Sequence, residues 1–328
     1  MKQVLIILLL LIALPSSAGD DKDLNQDPKA KEVEAIIEKT EKCMAEGNFD
    51  ESLALCLKAT TLLPDVKDLD AHISVYNNLG VIYRRRNMND SAIYYYNRAM
   101  DCAVKYGDDE WLTTLALNLC IFYHNLKHFK DAEKYLDIAV RHSAKLDDES
   151  MVFYCWQVGA LIKSYAGKLQ ESIEYSRKAW AMANGKGGTD DMRLRCIPTM
   201  VSVFDDLGKT DSVFHYIALG NKLLTTCDNE ITRIGFIQSR AEINYRHERW
   251  HDLLPDLLLL ANKTSSGTLS SSLYTKIADS YFHLADYRKA YCYMDSARMF
   301  TDSLAAKDME AKLAEFNVKY ETKEKDME

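Results

Sequence analysis

A small residue returns every forty positions along this chain. Ala59, Ala99, Ala139 and Ala179 stand 40 residues apart, and Gly220, Leu260 and Ala297 continue the column at steps of 41, 40 and 37. Seven residues upstream run Ser52, Ala92, Ala132, Ser172, Val213, Leu253 and Ala290. Three residues before these lies a mostly apolar column, Phe49, Asn89, Phe129, Leu169, Thr210, Trp250 and Tyr287. Six earlier again stand Cys43, Tyr83, Tyr123, Lys163, Phe204, Asn244 and Tyr281. The exceptions fall on different copies. A period of this length marks one supersecondary unit repeated, each unit burying its open face against the next. It displaces the two ordinary domains that 328 residues would otherwise suggest.

Each copy reads as two amphipathic helices. Tyr76, Leu79, Gly80 and Tyr83 recur at helical spacing, Arg86 to Asn89 form a polar break, and Ala92, Tyr96 and Ala99 restart the period. The small columns have a steric reason. Two antiparallel helices joined by a short turn approach closely only where one side is small. Thirteen Gly and five Pro in the whole chain fit long helices with short turns.

The set Leu79-Gly80-x-x-Tyr83 with Ala92, Tyr96 and Ala99 resembles the tetratricopeptide repeat (TPR). Gly47-Asn48-Phe49 with Ala59 and Pro64 does too, as does Gly167-Lys168-Leu169 with Trp156 and Ala179. The resemblance covers roughly residues 33–300. It implies an all-α, right-handed α-solenoid of about seven helix pairs. The departure is a period of 40 residues against the usual 34. Residues 301–328 read as a last helix whose stripe, Met309, Leu313, Phe316 and Tyr320, caps the final pair. The run from Phe316 to Lys323 is also similar to the junction after periplasmic TPR regions of bacterial membrane-bound sensor regulators.

The amino terminus reads as an address. Lys2 precedes the apolar run Val4–Leu14 and the small residues Ser16, Ser17 and Ala18. That order fits a secretory signal over residues 1–18, and its eleven apolar residues are too few to span a bilayer. A polar leader follows over 19–32. The mature chain is expected to be periplasmic or extracellular and to carry no membrane span. Losing Lys2 takes the net charge from −8 to −9, with 40 basic residues against 49 acidic. That balance argues against a nucleic-acid partner.

Three motifs invite chemistry. His247-Glu248-Arg249-Trp250-His251 matches the zinc-peptidase pattern, which needs both imidazoles on one face of one helix and a third ligand beyond. The repeat register places it on a turn instead, and no third ligand follows closely. Gly185 to Thr189 lacks the spacing of a phosphate loop and reads as an inter-unit loop. Eight cysteines include no C-x-x-C pair. Cys43 and Cys56 lie on facing helices and offer a disulfide, with small buried core residues as the alternative. No catalysis, cofactor or metal is expected.

The resemblance implies that the first helices line a concave groove holding a peptide or partner helix. By register its candidate residues are Asn77, Asn78, Arg84 and Arg85, then Asn118 and His124, then Tyr154, Gln157 and Tyr165. The function expected is an exported scaffold that binds a protein or peptide. The alternatives are the sensory domain of a transmembrane regulator and, third, a zinc peptidase at His247–His251.

Overall fold

The computed structural model describes residues 28–263, 270–299 and 301–302. These form helices joined by short turns, with no strand among the described residues. The order is α1 (Pro28–Ala45), α2 (Phe49–Leu62), α3 (Leu69–Arg85), α4 (Asn89–Tyr106), α5 (Asp109–Asn125), α6 (Phe129–Ser143) and α7 (Glu149–Tyr165). There follow α8 (Leu169–Ala183), α9 (Asp190–Asp206), α10 (Thr210–Leu223), α11 (Glu230–Arg246), α12 (Trp250–Lys263) and α13 (Ser270–His283). A last helix, α14, begins at 287 and is described to 299. Odd-numbered helices are the first and even-numbered the second members of seven pairs. The signal segment 1–18 and nearly all of the capping segment 301–328 lie outside the described residues. So does most of the 19–32 leader, but α1 starts within it at Pro28. Proline suits a first helical turn because its missing N–H would have no helical partner there, and Val33 and Ile36 then bury one face.

Both helix starts have a local cause. First helices begin after a capping side chain. Asp68 accepts from Asp70 N at 3.0 Å, Asp108 from Glu110 N at 2.7 Å, Asp148 from Ser150 N at 2.8 Å, and Asn229 from Thr232 N at 3.1 Å. Second helices begin at the apolar column: Phe49, Asn89, Phe129, Leu169, Thr210 and Trp250 are each a first residue, and α14 starts at 287. Two residues before each start the backbone turns left-handed, at Gly47, Asn87, Lys127, Gly167, Gly208, Glu248 and Ala285. Only glycine holds that conformation without strain.

Within a pair the columns become contacts. Gly80 seats the ring of Tyr96, whose Cδ1 would lie 2.5 Å from any Cβ placed there, and Gly159 seats Tyr175 in the same way. Tyr83 stacks on Tyr95, Tyr123 on Tyr135, Phe204 on Tyr216 and Tyr281 on Tyr293, with centroids 5.4 to 5.6 Å apart. Each partner stands twelve residues later, which accounts for many of the 19 tyrosines. In the fourth pair Lys163 takes the place of the ring, buried and bridging Glu133 at 2.8 Å and Glu171 at 2.7 Å. In the sixth, where the column holds Asn244, the residue twelve further on is Asp256, buried and paired with Arg240. A charge enters this layer only with its counter-charge, because an unpaired one would lose its hydration for nothing.

The chain divides into two compact units whose boundary falls between Thr199 and Met200, inside α9 and just after its internal Pro198. In the N-terminal unit first helices touch the first helices of neighbouring pairs, α1 on α3, α3 on α5 and α5 on α7. That direct contact puts them on the inner side of this stack.

Candidate functional site

The inner layer of the N-terminal unit carries the candidate residues, in three arrangements. Asn77, Asn78 and Asn118 are buried between first helices, each less than a tenth exposed. Asn118 Nδ2 donates to Asn77 Oδ1 at 2.7 Å, tying α5 to α3. Asn78 faces Glu41 of α1, whose carboxyl is raised chiefly by burial. The sequence register lines these amides along an open groove. The structure makes them internal struts, because a neighbouring first helix stands directly over each of them.

Tyr154 and Gln157 of α7 stay half-buried and meet Arg195 of α9. Arg195 Nη1 donates to Tyr154 Oη at 2.8 Å with its guanidinium 5.4 Å above the ring, and Gln157 Nε2 donates to the Arg195 carbonyl at 3.1 Å. Gln157 Oε1 finds no hydrogen-bond partner. Burial raises the Tyr154 hydroxyl, opposed by the nearby arginine charge.

Arg84, Arg85, His124 and Tyr165 occupy the last turns of α3, α5 and α7. His124 lies 4.6 Å from the Tyr165 ring, and burial lowers its pKa, favouring the neutral imidazole. Its Nδ1 has no partner. Arg84 Nε and Nη2 and Arg85 Nε likewise have none, although all three atoms are shielded from solvent; the Arg84 guanidinium lies against the buried Tyr96 hydroxyl. Arg85 lies 5.8 Å over Phe49, and its pKa is pulled down first by burial and then by the charge of Arg84. Only the next arginine, Arg86, meets a carboxylate, that of Asp50.

A ladder runs through these contacts that the sequence reading passed over. Trp111 Nε1 donates to Asp70 at 2.5 Å, Asn118 to Asn77, Arg195 to Tyr154, and Arg246 to Asp205 at 3.0 Å. Every rung spans 41 residues. Three rungs set neighbouring first helices one residue off their 40-residue step, and the Tyr154–Arg195 rung follows the 41-residue step between the fourth and fifth copies, so complementary side chains at i and i+41 meet in each. Correlating polar types at that spacing would have found them.

The C-terminal unit has a different inner layer. Asp205 accepts from Arg246 at 3.0 Å and lies 2.7 Å from His247 Nε2, while Arg246 also reaches Glu242 at 3.3 Å. Lys276 meets Glu242 and Tyr245 Oη donates to Asp279 at 2.8 Å. Burial and this bond push the tyrosine to about 12. The zinc-peptidase alternative fails on geometry. His247 is the C-cap of α11, Glu248 is left-handed, and His251 already belongs to α12, so the two imidazoles share no helix face. Among the described residues no three His, Cys, Asp or Glu side chains are grouped to hold a metal.

Cys43 and Cys56 stand on the facing helices α1 and α2. Both are free and buried. Cys56 Sγ faces Thr40 Oγ1 at 3.8 Å, so the antiparallel register sets Cys56 one helical turn from Cys43, which neighbours Glu51. Burial pushes the Cys56 thiol to about 12.

Paired helices, left-handed turns and mostly small residues at the close approaches define a tetratricopeptide-repeat fold. A family model described as tetratricopeptide repeat matches residues 43–103. A crystal structure of a Rap protein complexed with competence and sporulation factor superposes with a TM-score of 0.63 at 14% identity, covering 87% of this chain and 78% of that one. The quorum sensor NprR with its cognate peptide NprX gives 0.59 at 14%, covering 87% and 79%. A tetratricopeptide repeat protein from Parabacteroides merdae gives 0.55 at 14%, covering 82% and 93%. No curated relative matches the sequence.

Proposed function

We propose that this chain is an exported binding module that takes a peptide, or an extended segment of a partner protein, on the inner face of its N-terminal unit, without catalysing a reaction on it. One observation carries the reading. Nitrogens of Arg84, Arg85 and His124 at the ends of α3 and α5, and Gln157 Oε1 within α7, have no hydrogen-bond partner on half-buried side chains. Such groups cost free energy unless something supplies their hydrogen bonds, and a peptide backbone supplies both donors and acceptors. Tyr154 and Tyr165 add rigid contact area. The Rap and NprR structures, solved with a factor and with a cognate peptide, support the reading by fold.

The test is a fluorescence-anisotropy screen of random decapeptides against the wild-type protein and against Tyr154→Ala and Gln157→Ala. Weakening of bound peptides by about tenfold per substitution is expected, near the ~1–1.5 kcal/mol of one good contact. Unchanged affinity in both variants would remove the site from this face. Export rests on residues 1–18. Amino-terminal sequencing of envelope material is expected to begin near Gly19.

A second reading, a sensory domain of a transmembrane signalling regulator, draws on the quorum sensor among the fold neighbours. Among the described residues no helix is long and apolar enough to cross a membrane. The reading frame beyond codon 328 tests it: an encoded membrane segment and output domain favour this second reading.

A further inference from the structure

We propose that a cleft between the first two helix pairs is a second binding site, separate from the groove, and that it takes a small anion with an apolar body, such as an aromatic acid or phosphate ester. The proposal stands apart from the groove reading. The cleft opens beside the start of α3, whereas the groove candidates Arg84 and Arg85 stand in the last turn of that helix.

The cleft has a local cause. Six residues join α2 to α3, among them a short 3₁₀ turn over Leu63–Asp65, whereas only Gly107 and Asp108 join α4 to α5. His72 Nε2 pins the longer connection at the Val66 carbonyl, 2.8 Å away. The space between this connection, the start of α3 and the end of α4 measures about 540 Å³, the size of a small-molecule site. Leu63 and Tyr76, both buried, supply its apolar wall together with Leu69. Arg98 lies 5.0 Å over the Tyr76 ring, and its terminal nitrogens donate to Tyr76 Oη at 3.0 Å and Tyr94 Oη at 3.1 Å. Two hydroxyls thus fix the guanidinium, and no carboxylate pairs with it among the described residues. Lys105, two turns further along α4, has no ion pair among them either, and both cations are open to solvent. Against the single acid Asp101 they leave the lining with one net positive charge, in a chain whose net charge is −8.

The next pair shows the same positions tied together from within. Forty residues on, Leu69 becomes Asp109, Cys102 becomes His142 and Lys105 becomes Lys145. Asp109 lies 2.5 Å from His142 Nδ1 and 2.8 Å from Lys145 Nζ, which joins the start of α5 to the end of α6. Tyr76 and Arg98 become Ala116 and Ile138, so the cation held over a ring is not repeated either. In the first cleft an apolar residue stands where the acid would be, and Lys105 is left without it. A guanidinium already held in place loses little freedom on meeting an anion, and its charge strengthens the hydrogen bonds it then makes. The ligand's apolar body would cover Leu63, Leu69 and the edge of Tyr76, which the anion alone could not do. Lys105 adds positive potential at the other end of the cleft.

The experiment titrates the full chain by calorimetry with 4-phenylbutyrate, phenyl phosphate and the uncharged 4-phenylbutanamide. Wild type is expected to bind one of the two anions at least about tenfold more tightly than the amide, and the better anion names the head group. Arg98→Gln is expected to bring that anion down to the level of the amide without lowering the melting temperature. Lys105→Gln is expected to weaken it about threefold, the weight of an exposed charge. Lys145→Gln removes the same charge from the neighbouring pair and is expected to leave all three affinities unchanged. Wild type that prefers neither anion overturns the site. So does a preference that survives Arg98→Gln, or one that falls as far in Lys145→Gln. Loss of the amide together with the anion in Arg98→Gln assigns that arginine to the shape of the cleft and overturns its role as the anion's anchor. Each of these outcomes leaves the groove reading as it stands.

Discussion

The two units build the same layer of first helices and treat its polar groups in opposite ways. In the C-terminal unit Asp205, Glu242, Arg246, His247 and Lys276 satisfy one another. In the N-terminal unit amides tie the helices together deep inside, while the guanidiniums and imidazole at the helix ends stay unpartnered. One fold therefore yields a face whose end groups are joined by ion pairs and a face where several end nitrogens have no hydrogen-bond partner. What differs is the placement of a few acids: none stands beside Arg84 or Arg85 as Asp205 stands beside Arg246. Glycine packing also differs. Gly80 and Gly159 seat rings from the second helix of their own pair, whereas Gly220 seats Phe236 of the next pair's first helix.

The comparison can be tested by substitution. The largest expected effect is at Gly80, where an added methyl group meets the fully buried Tyr96 ring. Gly80→Ala should cost about 1–3 kcal/mol in denaturant unfolding. Gly235→Ala, in α11 with open space at its Cβ, should gain about 0.5–1 kcal/mol. Similar values at both sites would mean that packing does not distinguish these glycines.

Next is Asp205→Ala, which strips the shared acceptor from Arg246 and His247 and should cost about 1–2 kcal/mol. Arg84→Gln should leave stability unchanged or slightly raised. Equal losses in thermal melts would erase the contrast between the closed and open faces.

A third pair of changes probes what the units share. Lys127→Gly and Glu248→Gly each relieve a left-handed residue at the same turn position. Each should add roughly 0.5–1 kcal/mol, the left-handed penalty less the backbone entropy of glycine. A gain in one unit only would show that the turns are not equivalent.

The smallest effect lies in acid. Glu133 is half-buried, which alone would raise its pKa, but hydrogen bonds from Lys163 and Lys168 bring it below the usual carboxylate value. A depressed folded pKa gives stability that is complete above about pH 4.5 and lost as pH falls through the lower folded value. Glu133→Gln should flatten that part of the melting-temperature profile between pH 5 and pH 2, and an unaltered slope would remove the ion pair as its source.

Much of the fold can be read from single residues. The column Phe49 to Tyr287 marks the start of every second helix, and the caps Asp68, Asp108 and Asp148 repeat at the same 40-residue step before first helices. Both signals are local, since a helix start depends on a few neighbouring residues. The turns are less legible. Gly47, Gly167 and Gly208 announce a left-handed residue, but Lys127, Glu248 and Ala285 adopt it because the helices on either side impose it. The candidate site was legible only as a set of positions. Asn77, Asn78 and Asn118 lie on the expected layer but inside it, whereas Arg84, Arg85 and His124 lie at its accessible edge.

By itself the sequence determined the number of helix pairs, their boundaries and the small residues at their closest approach. Period and helical spacing are properties of one strand of chain, and they survive without knowledge of what lies alongside. Tertiary structure alone decided which polar residues became struts and which remained open. That outcome depends on how neighbouring first helices register, which at these rungs brings residue i against i+41. That register is set by how whole pairs pack. It determines whether an arginine meets an aspartate of its own chain, as Arg246 does, or no carboxylate, as with Arg84 and Arg85 among the described residues.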